Sequence, residues 1–148
     1  MPDGELVELF YEVALGDHIV AFGVGYGQRG QNGVPRERRI VGWYEGERWV
    51  VGDNRWFKGP AGEELYLSPS PVVAGNEVAF TVGAGYYSEV WVADGCTISR
   101  VARSGDRVGG KQIRNFAGLD RESFSGGQLR LVANFTDGSQ GFVRAHKP

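Results

Sequence analysis

The sequence lacks the residues on which several common kinds of site are built. Its single cysteine, Cys96, excludes an internal disulfide. Its two histidines, His18 and His146, are too few for a Cys/His zinc site, and no serine and aspartate pattern accompanies them as in a catalytic triad. We therefore predict no metal, no cofactor and no catalytic residue.

The chain also lacks an excess of charge of either sign. Sixteen basic and eighteen acidic side chains give a formal net charge of −2. A nucleic-acid-binding protein usually carries a basic stripe, whereas the densest basic stretch here, Arg36–Glu37–Arg38–Arg39, is short and interrupted by a carboxylate. We interpret that stretch as a solvated junction between a loop and a strand, and we expect no nucleic-acid partner.

Long apolar runs and helical periodicity are missing too. The first residues, MPDGELVELF, contain neither a basic n-region nor an extended apolar segment, which predicts no signal peptide and no membrane span. No stretch of twelve or more residues keeps apolar side chains at helical spacing without a glycine. The helical fold classes are thereby excluded.

Short strand-forming runs and turns fill the chain instead. Its 24 glycines are about twice an average share, and they separate runs rich in Val, Ile, Phe, Tyr and Trp. Glu45–Gly46 and Asp94–Gly95 are typical of tight hairpin turns. The sequence predicts an all-β chain with strands over 5–13, 18–24, 38–44, 48–51, 76–82, 89–93, 97–102, 128–135 and 141–145.

A repeated segment organises these strands. GELVELFYEVALGDHIVAF (4–22) aligns with GEELYLSPSPVVAGNEVAF (62–80) and with GKQIRNFAGLDRESFSGGQLRLVANF (110–135). Each copy has a second glycine (Gly16, Gly75 and Gly127) before an apolar strand. The repeat length of roughly 45–55 residues is that of propeller blades. We predict one domain, 1–148, of three antiparallel four-strand blade-like repeats in a β-propeller-like or partial propeller arrangement, with units of about 4–61, 62–109 and 110–148.

Two units depart from this pattern. The glycine-rich segment GYGQRGQNGVPRE (25–37) is predicted to be a loop inserted into the first unit. The third unit contains only three of the four strands, with 141–145 as its third. A sheet edge without a partner strand is a liability that soluble proteins usually cover. We therefore expect either self-association, as a dimer or higher oligomer, or a longer propeller of which this sequence is a fragment.

The repeat resembles a known family. The order Gly–x–x–Ala–Phe, glycine-rich turn, strand, acidic–Gly turn and Val/Ile–x–x–Val–Ala–Arg–x–Gly–Asp is similar to bacterial NxxGxxAF-type tandem repeats, with ISRVARSGD (98–106) as its clearest stretch. The leading asparagine of that pattern is absent from all three units. The resemblance implies a β-propeller-like fold and a secreted or cell-surface protein, and it brings no catalytic residue.

Several glycine- and aspartate-rich segments are interpreted as turns. Asp53 and Asp106 follow glycine at equivalent places, where a carboxylate would cap the turn. GVGYG (23–27) and GAG (83–85) have the glycines of a phosphate loop but no following helix, so both are predicted to be turns. Cys96 is predicted to be a small, part-buried strand residue.

Aromatic side chains are the best candidates for a binding site. Trp43 and Tyr44 are adjacent on a predicted strand and so point to opposite faces, as do Tyr86 and Tyr87. One member of each pair is expected to be exposed or at an interface. The more ordinary interpretation is that these aromatics pack between blades. The candidate ligand-binding residues are Tyr44, Trp49, Trp56, Tyr86 and Tyr87.

Three kinds of function follow from this pattern. The leading hypothesis is a non-enzymatic, lectin-like binding module that recognises a glycan or a protein through exposed aromatic residues. A structural protein that assembles a multi-chain propeller is the first alternative. A hydrolase with a site built from loops of several blades is the second.

Overall fold

The computed structural model of the chain describes residues 7–29, 35–68, 70–95, 97–120, 122–125 and 128–146. Cys96 lies outside these ranges, and so does the prediction made for it. No helix in the described ranges is long and apolar enough to cross a membrane. The strands are β1 (Val7–Leu15), β2 (Ile19–Arg29), β3 (Pro35–Tyr44), β4 (Glu47–Asp53), β5 (Tyr66–Leu67), β6 (Val72–Ala74), β7 (Glu77–Ala84), β8 (Tyr87–Asp94), β9 (Thr97–Arg103), β10 (Arg107–Val108), β11 (Lys111–Phe116), β12 (Phe124–Ser125), β13 (Gln128–Phe135) and β14 (Gln140–Ala145).

All nine predicted strands are confirmed in the described residues, which omit 5 and 6 of the first, but the predicted inserted loop is wrong at both of its described ends, 25–29 and 35–37. β2 continues to Arg29 and β3 begins at Pro35, so the described parts of 25–37 are strand. Gly25 pairs with Arg38 in this ladder. The prediction that GVGYG is a turn is also wrong, because its glycines lie within β2. Antiparallel pairing with β3, interrupted by one irregularity between Tyr26 and Arg29, satisfies backbone groups here, and this outweighs the low strand propensity of glycine.

The strands form three antiparallel sheets, one after another along the chain. Sheet 1 has the order β1–β2–β3–β4. In sheet 2, β5 and β6 lie end to end along one side of β7, and β8 and β9 follow on its other side. In sheet 3, β11 and β12 lie along one side of β13 in the same way, and β14 lies on the other. β10 pairs with β11 at the edge of this sheet.

The outer edge of sheet 3 ends at β14. Among the described residues, β14 pairs with β13 and has no second neighbour, which is the edge that the sequence predicts. Phe142, on this strand, is 86% exposed. Its covering by another strand, whether from a second copy or from a longer chain, stays a prediction.

Two apolar cores hold the sheets in a stack. Ile19 and Ile40 of sheet 1 pack against Phe80 and other buried residues of sheet 2. The opposite face of sheet 2, which includes Ala79 and Val90, packs against sheet 3. Since side chains alternate between the faces of a strand, Ala79 and Phe80 serve different cores.

Sheet 2 is therefore the middle of three stacked layers. Strands at the corresponding side of successive sheets also contact each other. β1 contacts β6, and β6 contacts β12. Sheets that stack face to face around a shared inner edge form a propeller-like arrangement. The chain is all-β, with three blade-like antiparallel sheets as a partial propeller.

A glycine from each of the first two units lies where the two units meet. A Cβ atom added to Gly16 would lie 2.5 Å from the carbonyl oxygen of Gly75, far inside van der Waals contact. Gly75 itself has a φ of 58°, in the left-handed region that favours glycine. Glycine is thus required at position 16 by the close approach of two turns, and at the equivalent position 75 by the turn conformation.

The basic stretch 36–39 is not the solvated junction that the sequence predicts. Arg39 is buried, and its Nε donates to Asp53 Oδ2 at 2.7 Å. The two residues are cross-strand partners in β3 and β4, so the ladder brings opposite charges together inside the fold. The predicted capping role of Asp53 is confirmed, because its Oδ1 accepts a hydrogen bond from the backbone N–H of Arg55. Asp106 similarly accepts from the N–H of Arg103.

Candidate functional site

Two of the predicted aromatic residues line a pocket between sheets 1 and 2. Tyr44 ends β3, and Trp49 lies near the start of β4. The facing wall comes from the turn before β7, at Asn76, and from the end of β8, at Asp94. The cavity measures about 310 Å³, within the usual range for small-molecule sites of about 300–1,000 Å³. The lining of this aromatic pocket is Tyr44, Glu47, Arg48, Trp49, Asn76, Asp94 and Gly95.

Local sequence explains how the two rings are held. The turn between β3 and β4 has Glu45 at φ 48° and Gly46 at φ 83°, the positive angles of a primed hairpin turn, as predicted. The rings of Tyr44 and Trp49 meet edge to face, with centroids 6.3 Å apart and planes at 80°. Gly42 is the cross-strand partner of Trp49, and a Cβ added there would lie 2.9 Å from the indole. The missing side chain makes room for the ring.

The indole N–H of Trp49 is the unusual feature of the pocket. Its Nε1 is buried, and no described residue accepts its hydrogen bond. A buried donor without an acceptor costs about 1–3 kcal/mol, so such donors are rare. Trp49 lines the pocket, but Nε1 itself is closed to solvent, so an acceptor in the pocket reaches it only when the indole or its neighbours shift.

The remaining predicted aromatics lie elsewhere. Tyr86 and Tyr87 are in and just after the turn between β7 and β8, at the opposite end of sheet 2 from Asn76 and Asp94. Tyr86 is 70% exposed and the Arg114 guanidinium lies 4.2 Å from its ring centroid, a cation–π contact between sheets 2 and 3.

Trp56 and Trp43 are also outside the aromatic pocket. Trp56, about half exposed, is in the 3₁₀ turn Asn54–Trp56 that follows β4. Trp43 is exposed while its neighbour Tyr44 is half-buried, which confirms that the pair faces opposite ways. The predicted candidates therefore divide between two ends of the molecule.

A second cleft opens at the end of sheet 2 opposite the aromatic pocket, where all three sheets contribute. Arg38 comes from β3, Tyr66 and Ser68 from β5 and the residue after it, and Asn115 from β11. The cavity measures about 430 Å³. Sequence reasoning missed Arg38, Tyr66 and Asn115, because residues so far apart in the chain meet only through the stacking of the sheets. We call this site the Arg38 cleft.

A buried carboxylate lies beside the Arg38 cleft. Glu89 is 3% exposed and accepts hydrogen bonds from the Tyr87 hydroxyl at 2.7 Å and from the Trp91 indole N–H at 2.8 Å. The Arg100 guanidinium donates to it at 3.2 Å and supplies the opposite charge. Burial, the hydrogen bond to Glu89 and the negative charge of Glu89 together raise the pKa of Tyr87 to about 12. This cluster is satisfied internally and fixes the ring of Tyr87 in the cleft wall.

Comparison with known proteins adds little about identity. No protein-family model matches the sequence, and no curated protein matches it. Among solved structures, the chain is similar to the β-propeller domain of the Trilobed protease from Pyrococcus furiosus, with a TM-score of 0.48 and 14% identity over 94% of this chain. It spans 44% of the length of that solved chain. The fold assignment therefore rests on the strand pairing and the two cores described above, and membership of the NxxGxxAF-type repeats stays a prediction.

Proposed function

We propose that the protein is a non-enzymatic, glycan-binding module that holds a sugar in the aromatic pocket. The observation that supports this most directly is the buried indole N–H of Trp49, which has no acceptor among the described residues yet belongs to a side chain that lines an open cavity. A sugar hydroxyl is both a donor and an acceptor, so it would satisfy this group once the edge of the indole shifts to admit it.

The lining of the pocket favours a sugar over an apolar ligand. Tyr44 and Trp49 offer aromatic surface, against which the C–H face of a pyranose ring stacks. Glu47, Asn76 and Asp94 place carboxylate and amide groups around that surface, where ring hydroxyls need partners. A cavity of about 310 Å³ accommodates a small ligand and not the broad surface of a folded partner.

A screen of neutral glycans against the parent protein by tryptophan fluorescence, followed by isothermal titration calorimetry of the variants, tests the proposal, because a variant at Trp49 lacks the fluorescent reporter. Trp49→Ala removes both the ring and the donor and is expected to abolish binding, while Trp49→Phe keeps an aromatic ring and removes the N–H. We expect the latter to weaken binding about tenfold, since one hydrogen bond from a buried donor is lost. Trp43→Phe is the matched control, because Trp43 is about half exposed on the opposite face of β3.

The outcomes separate the possible ligands. A glycan that binds the parent protein and the Trp43 variant but not Trp49→Ala supports the proposal. Binding that survives Trp49→Ala places the sugar elsewhere and overturns the assignment of the pocket. A folded protein that binds through the pocket while the whole panel fails would replace the glycan with a protein ligand.

A further inference from the structure

The Arg38 cleft contains one charge that is not neutralised within it. Among the described residues that line it, Arg38 is the charged one, and the others are aromatic, aliphatic, small, hydroxyl- or amide-bearing. Its guanidinium forms no ion pair with a described carboxylate: one terminal N–H donates to the Leu67 carbonyl at 3.3 Å. Its Nε is buried and has no hydrogen-bond partner in the described chain. One of the five guanidinium N–H donors is used by Leu67 and the Nε–H is closed to solvent, which leaves three terminal N–H groups for a ligand.

The backbone holds this arginine in place independently of any ligand. The N–H of Arg38 donates to Asn54 Oδ1 at 3.0 Å, and the residue is paired with Gly25 in the β2–β3 ladder. The bond to Leu67 ties its side chain to β5 of the neighbouring sheet. The nearby carboxylate of Glu89 does not compete for Arg38, because it is held by Tyr87, Trp91 and Arg100.

We propose that the Arg38 cleft is a second ligand site, distinct from the aromatic pocket, that binds a sugar acid through its carboxylate. A guanidinium recognises a carboxylate with two parallel hydrogen bonds, which fits one anionic group on the ligand. A phosphate with two charges would ordinarily attract several cations, and this cleft has one.

The rest of the lining fits the body of a uronic acid. Ser68, Thr81 and Asn115 supply hydroxyl and amide groups for ring hydroxyls. Tyr66, about half exposed at the cleft, provides a ring for stacking. The volume of about 430 Å³ is in the range of small-ligand sites.

Titration with D-glucuronate and D-glucose tests the inference, because the two probes differ at the carboxylate. Binding is followed by backbone amide NMR at low ionic strength. We expect glucuronate to shift the amides of Gly83 and Gly85, which line the cleft. Glucose should bind at least about tenfold more weakly, as expected for the loss of a charge-assisted pair.

Variants assign the effect to the arginine. Arg38→Gln should weaken glucuronate binding at least about tenfold, and Arg38→Lys should give an intermediate loss because the ammonium cannot form the two-bond pair. Arg107→Gln, on exposed β10, is the control and should leave affinity unchanged. If Arg38→Gln does not fold, Tyr66→Ala replaces it, since Tyr66 is exposed at the rim and its loss should also weaken binding.

The result is independent of the glycan proposal, because Trp49→Ala should leave glucuronate binding intact. Unchanged affinity in both the Arg38 and Tyr66 variants, or equal binding of glucose, overturns the inference. Acetate binding as tightly as glucuronate removes the role of the sugar ring and overturns the ligand class. A peptide with a free C-terminal carboxylate that binds about tenfold more tightly than glucuronate overturns the assignment of a sugar acid and favours a protein ligand.

Discussion

Replacement of Glu89 by glutamine tests whether the buried carboxylate cluster stabilises the fold. Glu89 lies in β8, on the face of sheet 2 that packs against sheet 1, and all three of its side-chain partners are donors. Glutamine has nearly the same shape, but one of its two end groups donates instead of accepting. The amide oxygen can still accept from Trp91 and the Tyr87 hydroxyl can turn to accept from the amide N–H, so Arg100 is the donor left facing another donor.

The size of the effect follows from these contacts. A hydrogen bond to a charged group contributes about 1.5–3 kcal/mol and one between neutral groups about 0.5–1.5 kcal/mol, so the substitution weakens the bonds to Tyr87 and Trp91 and removes the charge that balances Arg100. The Arg100 guanidinium is partly exposed, so solvent screens its ion pair with Glu89. The loss of that ion pair therefore adds little to the fall in the free energy of unfolding. We expect the free energy of unfolding to fall by about 2–3 kcal/mol. For a chain of this length that lowers the Tm by about 4–12 °C.

Urea denaturation followed by circular dichroism measures the change. Glu64→Gln is the matched control, because Glu64 pairs with Lys58 at 3.6 Å on the surface and its loss should cost less than about 1 kcal/mol. The reasoning is refuted if Glu89→Gln destabilises the protein no more than Glu64→Gln does. A changed m-value would show instead that the denatured state has changed.

Three further predictions concern a turn and two titrating groups. Gly16→Ala should destabilise the fold by about 1–3 kcal/mol in thermal denaturation, whereas Gly118→Ala, with open space around it, should not. Tyr87 is expected to titrate near pH 12 when tyrosinate absorbance is followed. Because its pKa is higher in the folded than in the unfolded chain, its contribution to the free energy of unfolding is complete below pH 10 and is lost between pH 10 and 12. Hydrogen bonds from Ser139 lower the pKa of Asp137 to about 2, so its contribution is present above about pH 4 and disappears as the pH falls towards 2; carboxyl NMR shifts should show this midpoint.

The strands could be predicted because their signal is local. Alternating apolar residues bounded by glycine identify each long strand, and the three copies of the repeat give their order. The two-residue strands β5, β10 and β12 are too short to show any periodicity. The predicted loop over 25–37 is wrong for another reason, because glycine content indicates a loop whereas pairing between β2 and β3 decides the conformation.

The candidate sites could be predicted only in part. Tyr44 and Trp49 are conspicuous by residue type and lie five positions apart on one hairpin, so local reasoning reaches both. The Arg38 cleft depends on the approach of three sheets, and nothing near Arg38 in the sequence indicates that Asn115 is its neighbour. The stretch 36–39, whose charge pattern predicts a surface feature, therefore contributes Arg39 to a buried ion pair with Asp53 and Arg38 to a cleft.

The aromatic pocket arises from a paired departure from the repeat. Two equivalent cross-strand rows start at the alanine of a Val–Ala–Phe segment: Ala21–Gly42–Trp49 in sheet 1 and Ala79–Val92–Ser99 in sheet 2. In sheet 2, Val92 lies beside the small Ser99. In sheet 1, Gly42, which has no side chain, lies beside Trp49, the largest kind of residue. The absent side chain of Gly42 is the space that the indole of Trp49 fills, so either change alone would leave a clash or a void. Packing therefore requires the two changes to occur together, and it leaves the buried indole N–H without an acceptor among the described residues.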